Sequence, residues 1–296
     1  MANLKEVKGR IVSIQSTQQI TSAMKMVAAA KLRKAQDKIT KLRPYSEKLT
    51  GILQNVSAGL DDSGDNVFAE EREVNKVLLV VVSSDRGLCG SFNSNIFKNT
   101  VARIKEKYTD VKSRGGLYIL PVGKRSLEYF TKRKYQVIGD HSELFLDLNF
   151  ESVKVAAERA MDGFKTEEFD QIELIYNEFK NVATQILRTE QFLPIAPAAM
   201  EENEKSSDVD YLFEPSREYV VNEIIPKSLK IQFYKALLES NASEHGARMT
   251  AMDQATDNAG ELLKELKLTY NRTRQAAITK EILEIVGGAE ALAASS

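Results

Sequence analysis

The chain has few of the residue types on which catalytic centres and metal sites depend. Among its 296 residues are one cysteine, Cys89, two histidines, His141 and His245, and no tryptophan. A single cysteine excludes an internal disulfide and any cysteine-based zinc cluster. The two histidines do not form a pair at metal-ligand spacing. The sequence therefore predicts no metal site and no cofactor.

Long apolar runs are also absent. No stretch approaches the roughly 18 apolar residues that a membrane-spanning helix needs. The N-terminal residues, MANLKEVKGRIVSI, contain neither the apolar core nor the cleavage site of a signal peptide. We therefore expect a chain that stays on the cytosolic side of the membrane, in the compartment where it is made.

Proline is scarce and unevenly distributed. The six prolines all lie between positions 44 and 226, so residues 1–43 and 227–296 contain none. Proline costs about 3 kcal/mol inside a helix, and both proline-free segments are rich in Ala, Lys, Glu, Leu and Gln. These two segments predict long terminal helices.

The N-terminal segment has a narrow apolar seam at helical spacing, with steps of three and four residues. The seam positions are Leu4, Val7, Ile11, Ile14, Gln18, Thr21, Met24, Ala28, Leu32, Ala35, Ile39 and Leu42. The same period continues past Pro44, which predicts a helix over about 1–56.

The C-terminal segment predicts a second long helix over 216–290. Its centre, ASEHGARMTAMDQATDNAG, is lined with small and polar residues, and its end has an apolar stripe. That stripe comprises Ile278, Ile282, Ile285, Ala289 and Leu292. We expect the two helices to pair antiparallel as a coiled coil and form a rod.

Between the helices, strand and helix patterns alternate over 74–212. Strands are predicted at 76–84, 116–122, 135–138, 171–178 and 184–193. Helices are predicted at 93–108, 124–133 and 149–164. Continuous apolar strands in a β-α-β order indicate a largely parallel, Rossmann-like sheet covered on both faces. Residues 57–73 and 198–210 are expected to be loops. The fold class is thus α/β with long helices, an α/β domain inserted into a helix pair.

The net charge of −1 conceals a strong asymmetry along the chain. Residues 1–43 hold ten Lys or Arg and two Asp or Glu, residues 44–226 hold 22 against 31, and residues 227–296 hold nine of each. A basic terminal helix beside an acidic centre indicates a polyanionic or acidic partner for that helix.

Residues 81–91, VVSSDRGLCGS, resemble a phosphate-binding loop because a strand, two glycines and a helix start follow one another. A P-loop needs Lys followed by Ser or Thr, and a dinucleotide motif needs three glycines, but this loop has neither. A tight structural turn is the favoured interpretation, and a nucleotide enzyme stays open as an alternative. Cys89 has no neighbouring histidine in the sequence and is expected to be a buried thiol.

The basic N-terminal helix allows three interpretations, namely a solvated face, a nucleic-acid site or a docking surface for an acidic protein. Residues 1–43 contain no Phe, Tyr or Trp to stack on bases. Nucleic acid is therefore the weaker alternative.

Three segments together resemble the gamma subunit family of the F-type ATP synthases. They are IVSIQSTQQITSAMKMVAAAKLRKAQ, VVSSDRGLCGSFN and the C-terminal ASEHGARM…ITKEILEIVGGAEA. The last contains a signature-like pattern with Ile278, Thr279, Glu281, Glu284 and Gly288-Ala289. The resemblance covers both ends and the first loop of the central domain, whereas about 110–200 matches in pattern more than in residues.

The resemblance implies a non-catalytic central rotor shaft that couples ion flow to ATP synthesis or hydrolysis on the beta subunits. It also implies alpha, beta, epsilon and c-ring partners, with one such chain per three alpha and three beta. No direct binding of nucleotide or nucleic acid is expected. The location implied is the cytoplasmic face of a bacterial inner membrane, where the chain would be a peripheral component.

The resemblance also implies two sets of contact residues. Arg274, Gln275, Thr279, Glu281 and Glu284 would meet a catch loop of the beta subunit. Met24, Lys25, Asp85, Arg86 and Cys89 would lie near the acidic lever of beta, and the basic stretch from Lys25 to Lys38 would face that lever. Cys89 is expected to serve there as a crosslinking handle. The paired cysteines of the chloroplast-type regulatory insert are missing, so thiol regulation is not expected.

Overall fold

The computed structural model describes residues 4–60, 66–195 and 219–294. The helices are α1 Leu4–Leu60, α2 Phe92–Lys107, α3 Thr109–Ser113, α4 Lys124–Lys132, α5 Phe150–Lys165 and α6 Ile225–Ala294, with a π-helical segment Val220–Ile224 before α6. The strands are β1 Val77–Val82, β2 Leu117–Val122, β3 Gln136–Val137, β4 Gln171–Phe179 and β5 Gln185–Leu193. None of the described helices is both long enough and apolar enough to cross a membrane.

Contacts between residues divide the chain into two compact units. The first contains Met1–Val27 and Met249–Ser296, and the second contains Ala28–Arg248. Each long helix therefore contributes residues to both units. This division follows packing, whereas the predicted domains 1–56, 74–212 and 216–290 follow secondary structure, and those boundaries stay a prediction.

The second unit is built on a five-stranded sheet in the order β3-β2-β1-β4-β5. β1 pairs in parallel with both β2 and β4, β2 pairs in parallel with β3, and β5 is antiparallel to β4. β1 is the central strand, and its six residues are all buried. A run of Val and Leu suits a strand that is covered on both faces. The expected largely parallel sheet is confirmed.

Helices cover both faces of this sheet. One face packs Leu78, Val80 and Val82 against α5 and the first turns of α6. The other packs Val77, Leu79 and Val81 against α2, α3 and α4. The chain from β1 goes to β2 and β3 on one side, and then crosses back to β4 on the other side of β1. The topological switch point of the sheet therefore lies between β1 and β4.

The predicted secondary structure agrees with the structure in all five strands and in the three central helices. One difference concerns α1, which continues to Leu60 with Pro44 inside it, so the loop predicted from residue 57 is wrong for 57–60. Ser57 and Gly59 cost at most about 1 kcal/mol each inside a helix and Ala58 favours it, so these small residues do not end α1. The predicted loop 198–210 lies outside the described residues.

In the first unit, α1 and α6 pair antiparallel. The hydroxyls of Thr21 and Thr256 lie 2.8 Å apart, and Lys25 Nζ lies 2.5 Å from Asp253 Oδ1. A side chain at Gly260 would meet the Gln18 amide at 3.0 Å. Residue numbers rise along one helix as they fall along the other, which confirms the expected antiparallel pairing. All twelve predicted seam positions of α1 are buried or partly buried.

The apolar stripe near the end of α6 has a different environment from the one expected. Ile278, Ile282 and Ile285 are 49%, 54% and 71% exposed. The side chain of Leu292 is not among those that the structure describes. In the three cross-helix pairs above, the two residue numbers add up to about 278. A residue of α6 beyond about 274 would therefore pair with a position before Leu4, the first described residue of α1. α6 therefore extends past its partner, and the stripe is not part of the intramolecular seam.

Candidate partner-contact sites and the glycine loop

The loop Ser83–Gly90 connects β1 to the start of α2. Its backbone enters the left-handed region at Leu88, with φ of 63°, and at Gly90, with φ of 59°. For a leucine this conformation costs about 1–2 kcal/mol, and the Leu88 side chain is 66% exposed. The sharp turn thus depends on Leu88 and Gly90, whereas Gly87 has an ordinary φ.

Arg248 of α6 occupies the inner side of this loop. Its Nη2 donates to the backbone carbonyls of Arg86, at 3.0 Å, and of Gly87, at 3.2 Å. A phosphate cradle presents backbone N–H groups to an anion. Here two successive carbonyl oxygens face a guanidinium instead. The geometry supports the interpretation of the loop as a structural turn that receives a cation from the same unit.

Side chains of the loop and of α2 fix its shape from the other side. Ser84 N donates to Asn93 Oδ1 at 3.0 Å, and Asn93 Nδ2 donates to Ser84 Oγ at 2.7 Å. The Ser84 hydroxyl in turn donates to the Arg86 carbonyl at 2.6 Å. The loop is therefore held by hydrogen bonds within the unit.

Asp85 and Arg86 have different environments. Asp85 Oδ1 accepts a hydrogen bond from Lys124 N at 3.1 Å, at the first residue of α4. A carboxylate stabilises a helix N-terminus there, although burial raises the pKa of Asp85. Arg86 is exposed. Asp85 thus has a structural partner, and the Arg86 guanidinium is accessible to another molecule.

The position of Cys89 corrects one expectation. Its side chain is only 1% exposed, and the sulfur lies 3.3 Å from Asn93 Nδ2 and 3.7 Å from Ser84 Oγ. Burial raises the pKa of the thiol, so little thiolate forms at neutral pH. The buried thiol expected from the sequence is confirmed. Its use as a crosslinking handle on the surface is wrong, and Cys89 leaves the set of candidate contacts.

Three residues for which the sequence predicted no role, Glu244, His245 and Arg248, hold this region together. Arg248 Nη1 pairs with Glu244 Oε1 at 2.5 Å and lies 3.4 Å from His245 Nδ1. Burial is the largest cause of both pKa shifts, raising that of Glu244 and lowering that of His245 to about 4. Glu244 and Arg248 are four residues apart, a spacing that predicts an ion pair on a helix. Nothing in the local sequence indicated that this pair is buried.

Met24 and Lys25 belong to the first unit, whereas Asp85, Arg86 and Cys89 belong to the second. Met24 is partly buried in the α1 seam. The Lys25 ammonium is paired with Asp253, and the two side chains are 39% and 48% exposed. The Lys25 ammonium therefore already has an intramolecular partner, and this ion pair is about half exposed to solvent.

The five predicted catch-loop contacts lie together on α6 in the first unit. Arg274, Gln275, Thr279, Glu281 and Glu284 are all exposed. Thr279 Oγ1 donates to the Gln275 carbonyl at 2.9 Å, and Glu284 forms a surface ion pair with Lys280 at 3.6 Å. These five side chains share the part of α6 that extends past α1, where apolar and polar groups alternate on the surface.

The part of the chain that the structure describes contains no group of three or more His, Cys, Asp or Glu side chains able to hold a metal ion. The side chains of Ser83, Ser84 and Asp85 in the loop are engaged with α2 and α4, that of Arg86 is accessible, and the polar side chains near the end of α6 face outward. Fold and sites together define a class of protein: a long helix pair with an inserted doubly wound α/β domain, whose accessible side chains suit contact with other chains.

Comparison with known proteins identifies the member of this class. The family model described as ATP synthase matches residues 3–292. The chain belongs to the ATP synthase gamma chain family, whose members are non-catalytic subunits. It is 61% identical to the ATP synthase gamma chain of Cytophaga hutchinsonii over 99% of each chain. Identity to the Flavobacterium johnsoniae gamma chain is 56%, again over 99% of each.

Solved structures show the same fold. A chain in the mitochondrial ATP synthase of Euglena gracilis, in a structure described as OSCP/F1/c-ring, aligns with a TM-score of 0.67 at 21% identity. That alignment covers 99% of this chain and 95% of the other. A chain in the rotor structure of the same enzyme gives a TM-score of 0.65 at 19% identity.

Proposed function

We propose that this chain is the rotating central shaft of an F-type ATP synthase. It couples ion flow through the membrane sector to synthesis or hydrolysis of ATP on the beta subunits, and it regulates both. The observation that carries this proposal is the extension of α6 past α1. Ile278, Ile282, Leu283, Ile285 and Val286 are between 47% and 71% exposed along one segment. A continuous exposed apolar surface of this kind indicates a protein partner.

The catch-loop contacts are Arg274, Gln275, Thr279, Glu281 and Glu284. Their support is that all five side chains are exposed on the same extension of α6. Exposed polar side chains exchange hydrogen bonds with a partner at low cost, because water substitutes for the partner between contacts. Side chains of this kind transmit torque as α6 turns, without bond chemistry of their own.

The lever contacts are Met24, Lys25, Asp85 and Arg86 together with the basic stretch that ends at Lys38. Lys31, Arg33 and Lys34 of that stretch are exposed. Their charge attracts an acidic lever of beta and steers it during rotation. The Lys25–Asp253 pair is weak because it is half-exposed, so an acidic partner can compete for the ammonium.

The partners are three alpha and three beta subunits per copy of this chain, an epsilon subunit and the c-ring. The bacterial relatives are named as gamma chains of ATP synthases, and the similar Euglena gracilis chains come from an assembly of F1 with a c-ring and from a rotor, which supports partners in F1 and the c-ring. The chain is held at the cytoplasmic face of a bacterial inner membrane through these partners. The bacterial sources of the two relatives named above support that location.

Co-purification tests the proposal. An affinity tag on this chain should recover alpha and beta at three copies each, with ATP-driven rotation of the tagged shaft. Ile282→Asp with Ile285→Asp should reduce recovery of the assembled complex, because a charge on the apolar stripe must be desolvated against a partner. Leu146→Asp is the matched control, since Leu146 is 74% exposed in the second unit. Recovery of a homodimer, or equal effects of both variants, would contradict the proposal.

A further inference from the structure

Leu88 combines two unfavourable features in the loop between β1 and α2. Its backbone has a φ of 63°, in the left-handed region where the Cβ of a side chain crowds the backbone. Its side chain is 66% exposed. A single exposed leucine is common on protein surfaces, but a bulky residue in the left-handed region is a strained exception. The combination requires a physical reason.

Helix capping is not that reason. Two other described residues that are not glycine have a positive φ, Lys134 and Glu167, each at 58°. They lie two residues after the last residues of α4 and α5, where a left-handed residue commonly satisfies the final carbonyls of a helix. Lys134 N donates to the Thr131 carbonyl at 3.0 Å, and Glu167 N to the Phe164 carbonyl at 3.2 Å. Leu88 precedes α2 and follows no helix.

The turn requires the conformation at this position but not the leucine. The next residue, Cys89, is 1% exposed, so the chain must turn sharply there from the surface into the core. Gly90 repeats the left-handed conformation, with φ of 59°. Glycine adopts this conformation without strain, and asparagine tolerates it. The leucine side chain therefore makes the free chain less stable, and strain of this kind is typical of functional positions.

The loop holds Leu88 in a fixed position. Arg248 Nη2 donates to the carbonyls of Arg86 and Gly87 on one side of it, and the buried Cys89 follows on the other. Because the loop is already ordered, little conformational entropy is lost when another molecule covers the leucine.

Guanidinium groups lie near the leucine. Arg86 is exposed two residues before it. The Arg125 guanidinium lies against the loop, since a Cβ at Gly87 would meet Arg125 Nη2 at 3.4 Å. Arg125 also contacts Glu128 at 3.0 Å, but both side chains are about 40% exposed, so this pair is weak. An apolar side chain beside cationic groups fits a pocket with an apolar interior and carboxylates at its edge.

We propose that Leu88 is the apolar anchor by which this loop docks into such a pocket on a beta subunit. Arg86 pairs with a carboxylate at the edge of the pocket while Leu88 is covered by its interior. The inference rests on the proposed shaft function, which supplies beta as the partner, and adds the side chain that makes the contact.

Leu88→Gly distinguishes an anchor from a structural residue, because the two roles predict opposite results. Glycine relieves the strain, so the thermal transition of the free full-length chain should stay unchanged or rise by up to about 3 °C. The dissociation constant for the alpha–beta complex should rise at least about tenfold, because the burial of a leucine is lost. Leu88→Asn should act in the same way, and Leu88→Met should keep binding within about threefold. Calorimetry and titration of the fluorescently labelled chain measure the two effects.

Matched variants control for each change. Glu167→Gly removes a side chain at nearly the same φ, and Leu146→Asn removes another leucine of the second unit, 74% exposed. Both should leave binding to alpha and beta unchanged. Arg86→Gln should weaken binding and reduce its dependence on salt, whereas Leu88→Gly should leave the salt dependence as it is.

A photoreactive benzophenone attached at Leu88→Cys identifies the partner, and irradiation of the assembled complex should crosslink it to beta. Crosslinking to alpha or epsilon alone would overturn the proposal. So would a lower thermal transition of Leu88→Gly, or a dissociation constant that Leu88→Gly leaves unchanged while the natural chain binds alpha and beta. That last result would leave the shaft function intact, whereas a natural chain that fails to bind alpha and beta would contradict both.

Discussion

At the scale of single residues, a buried ion pair lies at the inner side of the glycine loop. Arg248 is shared between the carboxylate of Glu244 and two backbone carbonyls of the loop. Glu244 is only 6% exposed, and removal of the partner of a buried charge costs about 3–5 kcal/mol. The Arg248 guanidinium therefore neutralises the charge of Glu244 and holds the loop at the same time. A substitution of Arg248 would disturb both the buried carboxylate and the loop.

Cys89 should react slowly in the native chain. Its sulfur is buried, and burial raises the pKa of the thiol. A thiol-reactive disulfide reagent should therefore modify Cys89 at least about a hundredfold more slowly in native protein than in urea. Arg248→Ala should accelerate the native reaction, since it frees the loop. Equal rates in native and unfolded chain would contradict the buried position.

His245 should make stability depend on pH. Its folded-state pKa is lowered to about 4, with burial the main cause and Arg248 and Lys31 adding to it. The folded state therefore favours the neutral ring, and the unfolded chain takes up a proton first as the pH falls below about 6.5. The free energy of unfolding should fall by about 3 kcal/mol between pH 7 and pH 4 through this group alone.

His245→Gln should remove that part of the pH dependence. Urea unfolding of both proteins at pH 7 and pH 4 measures it, and the difference between the two pH profiles isolates His245 from Glu244 and Asp85, whose carboxyls also titrate. Parallel profiles for the variant and the natural chain would show that His245 is not the group responsible.

At the scale of elements, the pairing of α1 with α6 depends on a few cross-helix contacts in the first unit. Small residues line much of the interface, and the Thr21–Thr256 hydrogen bond and the Lys25–Asp253 ion pair connect the helices. Small side chains bury little apolar area. Specific polar contacts therefore contribute to the register more than they would in a leucine-rich coiled coil.

Charge exchange between α1 and α6 tests this register. Lys25→Glu places two carboxylates together and should lower the free energy of unfolding by about 0.5–1 kcal/mol, as expected for a half-exposed pair. Adding Asp253→Lys should restore most of the loss, and urea unfolding of the four proteins gives the coupling energy. Lys8→Glu, at an exposed position of the same helix, controls for charge alone. A double variant no more stable than Lys25→Glu would contradict the pairing.

Deletion from Thr279 onward tests the extension of α6. The described side chains from Thr279 to Glu290 are exposed, so the thermal transition of the second unit should move by less than about 2 °C. Assembly with alpha and beta, or coupling of ATP synthesis to ion flow, should be strongly reduced. Calorimetry of the free chain and activity of the reconstituted complex measure the two effects. A comparable loss in both would show that the extension also stabilises the fold.

At the scale of the whole molecule, the chain has a fold that commonly binds nucleotides, but the groups at its switch point do not suit a nucleotide. The sheet has the order and switch point of a doubly wound fold, yet α6 lies against Asn177 and the loop carbonyls at that point. The carbonyl oxygens of the loop would repel a phosphate group, and α6 occupies the space that such a group would need. Architecture alone therefore does not predict function, which depends on the groups present at the site.

Titration of the full-length chain with ATP and with NAD tests this conclusion. No saturable binding at dissociation constants below about 1 mM is expected, because the loop presents acceptors where phosphate needs donors. Isothermal calorimetry with the alpha–beta complex as a positive control measures it. Stoichiometric nucleotide binding that Gly87→Asp abolishes would return the loop to the class of phosphate sites.

The sequence by itself determined the periodic features. Seam spacing identified the buried face of α1 from Leu4 to Leu42, and β-branched runs identified the strands, because local periods decide which side of an element meets apolar surface. The motifs around Thr279 and Asp85, together with the N-terminal segment from Ile11 to Gln36, were enough to indicate the family. All of these depend on residues close together in the chain.

The tertiary structure decided which side chains are already engaged. Arg248 and Arg86 are 162 positions apart, and no local pattern predicts that one binds the carbonyl of the other. The same applies to Lys25 with Asp253, to the buried Cys89 and to the antiparallel β5. The stripe at Ile278–Ile285 also belongs here, since only the structure shows that its side chains are exposed. Partners distant in sequence become neighbours only through folding, and burial then sets their charge, reactivity and availability to other molecules.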